Sequence, residues 1–286
     1  MTLDLSKLPA PDVVETLDFE TEFAAMLARY QLLMGDQWTA LLESDPIMKL
    51  LEQVAYETVT LRARINAAAK AVLLAKARGA DLDNVLALLD AKRLDGELDD
   101  AFRERGRLAP YGFSTAGPGR AYEYHARSAH DDVLDVGVDS PEPGVVRVVV
   151  LSRAGDGTPS DSVLAAVRSA LNAEDIRPLN DTVLVLPGQV VPWSLQAVLS
   201  FPSGAATEPS QAAALAAAQA YASAQKRLNR PIRRSMLLAA LAVAGVSDVE
   251  LLSPSADIEA DSQAAPYCTA IELTAEIETL AAGGGT

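Results

Sequence analysis

Cysteine is nearly absent: Cys268 stands alone among 286 residues. A single thiol excludes an internal disulfide and a thiolate metal cage, and Cys268 reads as a small apolar residue beside a strand. His125 and His130 are the two histidines. Their spacing of five does not place both on one face of a continuous helix, so a metal site built on them is not expected. Long apolar runs are missing too. No stretch reaches the roughly 18 residues a membrane-spanning helix needs, and the opening MTLDLSKLPAPD lacks the charged-then-apolar pattern of an export signal. The chain is expected neither to span a membrane nor to be exported by the usual route. Aromatic residues supply only 5% of the whole.

Cations are the other deficit. Lys and Arg number 24 against 39 Asp and Glu, a net charge of −15. Such a surface repels phosphate backbones, which argues against a nucleic-acid partner unless basic residues are concentrated somewhere. One concentration exists: Lys226, Arg227, Arg230, Arg233 and Arg234 fall within nine residues. From Ser235 onward there are eight acidic residues and no Lys or Arg. Two readings stand: ordinary placement of charge at helix ends, or complementary faces in an assembly.

What is abundant is aliphatic side chains, in a chain long enough for two or three domains with their own cores. The rest is organised around residues 46–78, PIMKLLEQVAYETVTLRARINAAAKAVLLAKAR, expected as one helix of roughly 50 Å. Asp45 is a good N-cap, Pro46 suits the first helical position, and Gly79 follows Lys76 and Arg78 as a stop. Steps of four and three select Ile47, Leu51, Val54, Thr58, Leu61, Ile65, Ala68, Val72 and Ala75, a track without charge. Leu50, Tyr56, Val59 and Leu73 add apolar surface beside it, and Ala68 and Ala75 permit close approach. This is the seam of a coiled coil or long bundle. It serves either as a core helix of its own chain or as a partner-binding helix, and periodicity does not separate the two.

Residues 1–15 read as a Pro-interrupted arm. Asp18 caps a helix over Phe19–Met34 with Phe19, Phe23, Met26, Leu27, Tyr30 and Leu33 on one face, ended by Gly35. Residues 36–43 make a short amphipathic turn. Asp81 is expected to cap a helix over Leu82–Leu89, and residues 97–107 a helix with Leu98 and Phe102 inward. After a Gly/Pro/Ser-rich loop from Leu108 and a helix over Arg120–Ala129, the pattern changes to strands. Val133–Asp139 and Val145–Leu151 form a hairpin, Ser160 or Asp161 caps a helix through Leu171, and Thr182–Leu186 is a strand. Val191–Phe201 alternates strictly, with Pro192 marking an edge or bulge. Helices over Ser210–Leu228 and from Pro231 to Ala244 follow, then strands Asp248–Leu252 and Ile271–Ile277 and a terminal Gly-Gly-Gly-Thr expected to be disordered. Val133–Pro141 echoes Val246–Pro254, each after a helix and before another strand. The fold class expected is α+β. A long-helix bundle region (1–107) is followed by two related small α+β modules (108–187 and 188–286).

No stretch demands catalysis. Ser114, His125 and Asp131 hold the letters of a triad without a nucleophile elbow. Gly117-Pro118-Gly119-Arg120 lacks the Lys and Ser/Thr of a phosphate loop, and Gly155-Asp156-Gly157-Thr158 has only part of a calcium loop. No cofactor, metal or catalytic residue is assigned.

Several stretches in order nevertheless resemble one family, the baseplate J-like proteins of contractile phage tails and tailocins. They are Gly79-Ala80-Asp81-Leu82-Asp83-Asn84, Leu108-Ala109-Pro110 and Ser114-Thr115-Ala116-Gly117-Pro118, then Ala121-Tyr122-Glu123-Tyr124-His125-Ala126. Ser152-Arg153-Ala154-Gly155-Asp156-Gly157-Thr158-Pro159 and Ala265-Pro266-Tyr267-Cys268-Thr269 follow. The connection between Leu89 and Leu108 departs from many relatives. The resemblance implies a non-enzymatic wedge subunit of the baseplate. Its partners would be a second wedge protein, a second copy of itself and neighbouring wedges, with no nucleic acid or membrane. It also implies that a ring of such subunits transmits the shape change that triggers sheath contraction. On that reading Ile47, Leu51, Val54, Leu61, Ile65 and Val72 bind partner helices, while Arg230, Arg233 and Arg234 serve ring contacts. The alternatives are an adaptor of a contractile injection system or tailocin and, remotely, a hydrolase using His125 with Ser114 or Asp131.

Overall fold

Two aspartates start the first long elements, as their positions predict. In α1 (Phe19–Met34) the Asp18 carboxylate accepts from the Thr21 amide at 2.8 Å and from its hydroxyl, and Gly35 closes the helix at φ 55°. In α2 (Pro46–Ala71) Asp45 accepts from the Ile47 amide at 2.9 Å, with Pro46 at the first position. The computed structural model describes residues 8–9, 11–35, 42–114, 117–204 and 207–278. The expected turn at 36–43 lies mostly outside the described residues, and so do most of the first arm residues and the terminal Gly-Gly-Gly-Thr. The chain divides into two units, Met1–Arg93 with Leu98–Gly106 and Leu94–Glu97 with Arg107–Thr286.

In the first unit α2 stops at Ala71, seven residues short of the predicted end, and spans roughly 39 Å. Val72 leaves helical geometry at φ −89°, ψ 0°. Beyond the break the chain is held from α4 (Asp99–Gly106), whose Arg103 guanidinium donates to the oxygens of Leu74 at 2.8 Å and Ala77 at 2.6 Å. Gly79 is therefore not a stop but the first residue of α3 (Gly79–Ala87). Nor does Asp81 cap that helix: Asp99 accepts from the Gly79 amide at 3.1 Å. Ala77, Leu82, Leu86, Ala91 and Phe102 are buried, and the guanidinium groups of Arg93 (4.8 Å) and Arg105 (5.1 Å) both lie over the Phe102 ring. Leu98, expected to point inward, precedes the helix and is exposed.

The expected long-helix bundle is, among the described residues, a pairing of α2 with α1 and the preceding arm. Asn66 is buried, accepts from the Glu15 amide at 3.1 Å and donates to the Glu15 carbonyl at 2.9 Å. Arg62 reaches Glu22 of α1 at 2.8 Å. Of the face predicted for α1, Phe19 through Tyr30 is half-buried, whereas Leu33 is exposed.

The second unit opens with α5 (Ala109–Gly112) and α6 (Gly119–Ala129), then β1 (Val133–Glu142), β2 (Val145–Ser152), α7 (Asp161–Leu171) and β3 (Thr182–Pro187). The β1–β2 hairpin forms as expected, and Ser160, not Asp161, caps α7. The sheet order is β1-β2-β3, antiparallel then parallel. Val136, Val148, Val150 and Val185 on one face pack against Tyr122 and Ala126 of α6 and Val163, Val167 and Leu171 of α7.

β4 (Gln189–Phe201) begins one residue after β3 and carries the chain into a second sheet of order β5-β4-β6. Trp193, Leu195, Ala197, Leu199 and Phe201 are all buried, so the alternation is obeyed. They pack against α8 (Thr207–Gln225) and α9 (Arg234–Leu241) through Ala214, Ala218, Leu237 and Leu241. β5 (Asp248–Ser253) pairs with β4 from Gln196 to Ser200. Pro192 therefore lies on a stretch of β4 that β5 does not reach, beside a register shift against β6 (Ala264–Ile277). β6 starts seven residues earlier than its alternating portion predicts.

Both sheets have a central strand with one antiparallel and one parallel neighbour, but the connections differ. β1 turns directly into its central partner, whereas β5 leads to β6 on the far side of β4. The echo of Val133–Pro141 in Val246–Pro254 marks corresponding strand types in differently wired sheets.

Candidate assembly surfaces

Two stripes run along α2. Met48, Ala55 and Asn66 are buried against their own chain. The seam beside them is not: Leu61 is 62% exposed, Ile65 58% and Val72 71%. Ile47 and Val54 are also exposed, Leu51 is half-buried, and Leu50 and Tyr56 widen the apolar surface. From Ile47 to Val72 this ridge is roughly 37 Å long. A ridge of that length, built of leucine- and valine-sized side chains, is far more apolar surface than single scattered residues would present.

The basic cluster is largely neutralised within the chain. Arg233 reaches Asp257 at 3.1 Å and also pairs with Glu259; hydrogen bonds to both hold its pKa above the ordinary arginine value. Arg234 donates through its guanidinium to the carbonyls of Pro254 and Leu251, and through its amide to Asp257 at 2.9 Å. Lys226 donates to the Arg153 and Gly155 carbonyls at 2.9 Å, and Arg227 to the Leu134 carbonyl at 3.1 Å. Arg230 is exposed and, among the described residues, has no such partner. It stands at a shallow depression lined also by Tyr221, Pro231 and Met236. Acidic residues spread over the solvent face of the second sheet, where Glu250 lies beside Val198, and Asp248 and Glu276 flank Ser200.

The letters of a triad are placed differently. His125 packs edge-on against Tyr124 at 5.3 Å, and burial pushes its pKa down, opposed by a bond to the Gly112 backbone and by Asp175. Asp131 lies 2.8 Å from His130 instead. Arg120, after the Gly-Pro-Gly, stacks on Tyr111 and donates to its hydroxyl at 2.8 Å. The loop at 155–158, which has only part of a calcium-loop pattern, turns its Gly155 carbonyl to the Lys226 ammonium. Among the described residues no three His, Cys, Asp or Glu side chains group as a metal set. No described helix is long and apolar enough to cross a membrane.

Comparison with known proteins follows the architecture. The first unit and the two sheets correspond to three matched families: the Baseplate J-like N-terminal domain over residues 43–96, the central domain over 114–187 and the C-terminal domain over 193–274. Baseplate protein J of Escherichia phage P2 is 44% identical over 288 residues, covering 93% of this chain and 95% of that protein. A chain in the cryo-EM structure of the anti-feeding prophage baseplate matches 60% of this chain at 15% identity and a TM-score of 0.42. This chain spans 42% of that one's length. Matches in order along most of the sequence, with a full-length relative well above the level of chance likeness, place the chain in the baseplate J-like protein family.

Proposed function

We propose that this protein is a wedge subunit of a contractile tail baseplate, acting by assembly and not by catalysis. The observation that carries the reading is the uncharged ridge of α2, whose Leu61, Ile65 and Val72 are exposed. Burying apolar area is the main favourable term in stable association, and a leucine- or isoleucine-rich helix face is suited to knobs-into-holes packing. The occupants that fit are helices of a second wedge protein and of another copy of this chain. Arg230, unpaired among the described residues, is the cation available to an acidic face of a neighbouring wedge, while Arg233 and Arg234 shape the surface around it. In that arrangement the second unit joins wedges into the ring that relays the trigger for sheath contraction.

Deleting the coding sequence from the parent particle tests the proposal. The expected result is tails without an assembled baseplate, restored when the chain is supplied in trans. Complete, contraction-competent baseplates in its absence would overturn the wedge assignment.

A further inference from the structure

Within the second unit the two sheets each close a core of their own, one around Val148, Val150 and Val167, the other around Leu195, Leu199 and Leu237. Between them lies a much smaller cluster of four buried residues, Val149, Leu151, Leu228 and Ala265. The chain passes between the modules at Gly188, whose amide donates to the Val150 carbonyl at 2.8 Å. A Cβ there would meet that oxygen at 3.3 Å and Leu228 Cδ2 at 3.4 Å.

The rest of the attachment comes from the close backbone approach of Gly137 on β1 to Ser262 and from three consecutive residues after α8. Lys226 places its ammonium on the Arg153 and Gly155 carbonyls of the first module, 5.6 Å from the Tyr267 ring centroid of its own. Burial lowers its pKa, and Asp156 and Asp132 act in the opposite direction. Arg227 donates to the Leu134 carbonyl and lies 3.8 Å from one Asp135 oxygen. The Leu228 amide donates to the other Asp135 oxygen at 3.0 Å, and its side chain enters the small cluster. Asp135 is anchored from its own side by Arg127 of α6 at 2.9 Å.

We propose that Lys226-Arg227-Leu228 is a latch and Gly188 a hinge, so that the second α+β module can swing away from the first as a folded body. The argument is one of where the energy sits. Opening would break the exposed bonds of Lys226, the part-buried ones of Arg227 and Leu228 and the approach of Gly137 to Ser262, and would expose one small apolar cluster that shares no residue with the two larger cores. Interfaces of that kind between modules of one chain permit relative motion, and hinges need only a few residues at the end of an element. The device is a property of the isolated chain and stands independently of the wedge assignment.

The test uses the full chain with Cys268→Ala and spin labels on cysteines introduced at the exposed positions Ser169 on α7 and Gln219 on α8. The parent is expected to give one narrow distance distribution. Lys226→Met combined with Asp135→Asn is expected to broaden and shift it, while amide-exchange protection of β2 and β4 stays at the parent level. Lys226→Met alone, a milder change, is expected to broaden it partly. An unchanged distribution in both variants overturns the latch. Loss of protection in β2 or β4 alongside the shift overturns it too, because the contact would then belong to a single shared core.

Discussion

Replacing Leu61 and Ile65 by Asp probes the α2 ridge directly. Burying a leucine or isoleucine completely is worth about 1.5–3 kcal/mol, and these side chains are 62% and 58% exposed in the free chain. A partner covering them therefore gains about 1–2 kcal/mol from each, or about 2–4 kcal/mol from both. At about 1.4 kcal/mol per decade, losing that gain weakens binding between about 30-fold and about 1,000-fold. Forcing a carboxylate against an apolar partner adds to the loss. The free chain covers only the smaller part of each side chain, so its stability should fall by about 1 kcal/mol per position, helix propensity included. Titration calorimetry against the second wedge protein, alongside thermal unfolding by circular dichroism, separates the two effects. Thr60→Asp, exposed on the same helix but off the ridge, is the control. Affinity within about threefold of the parent, under 1 kcal/mol, would refute the ridge as the docking surface. A matching loss of stability in the free chain would show that the ridge is core after all.

Four further outcomes are expected. Asn66→Ala removes both hydrogen bonds from α2 to the Glu15 backbone, costing about 1–2 kcal/mol locally; amide exchange over residues 11–18 should accelerate, and an unchanged rate would show the arm is held by other contacts such as the Arg62–Glu15 pair. Gly137→Ala would drive a Cβ into the Ser262 carbonyl oxygen, a backbone atom with little freedom to yield. A loss of about 1–3 kcal/mol is expected in denaturant unfolding, and wild-type stability would contradict the close packing of the two modules there. Asp139 has its pKa held down by hydrogen bonding and charge from Arg147. A depressed carboxylate contributes stability that is present above the unfolded value, about 3.9, and is lost as pH falls through the folded one, so Asp139→Asn should flatten the acid limb of the stability profile. Arg230→Glu should leave the melting temperature and wedge formation unchanged while impairing ring closure, and normal rings would remove Arg230 from the interface.

Features decided by neighbours in sequence were legible beforehand. Asp18, Asp45 and Ser160 each bond an amide two or three residues on, and the buried face of β4 follows from its period of two. Features decided from a distance were not. Periodicity continues past Ala71 to Arg78, whereas the helix stops at Ala71 and the carbonyls of Leu74 and Ala77 beyond it are held by Arg103, 29 and 26 residues away. The first half of β6 has no alternating signature, because Ala264, Ala265 and Pro266 are buried in succession along β4. Chemical type showed that residues 226–234 were basic. It could not show that Lys226 and Arg227 would be taken by carbonyls some 70 to 90 residues away, although a lysine followed by arginine and leucine at a helix end does combine donors with an apolar plug.

The same division explains which side of α2 its own chain covers. The covered stripe carries Arg62 and Asn66, whose groups need acceptors and donors at fixed positions, and Glu22 and the Glu15 backbone supply them from one polypeptide. Polar pairing of this kind discriminates strongly among partners, because a mismatched buried group loses its hydration without compensation. The uncovered seam has no such groups between Ile47 and Val72 apart from Thr58, whose hydroxyl is already spent on the Val54 carbonyl at 2.8 Å. An apolar seam asks only for complementary shape, so it can remain exposed in the free subunit and be buried later. Polar pairing thus holds the arm and α1 on one side of the helix, and the other, less discriminating side is the one proposed for assembly. An engineered α2 with the two stripes exchanged should bury its ridge internally and lose its partner.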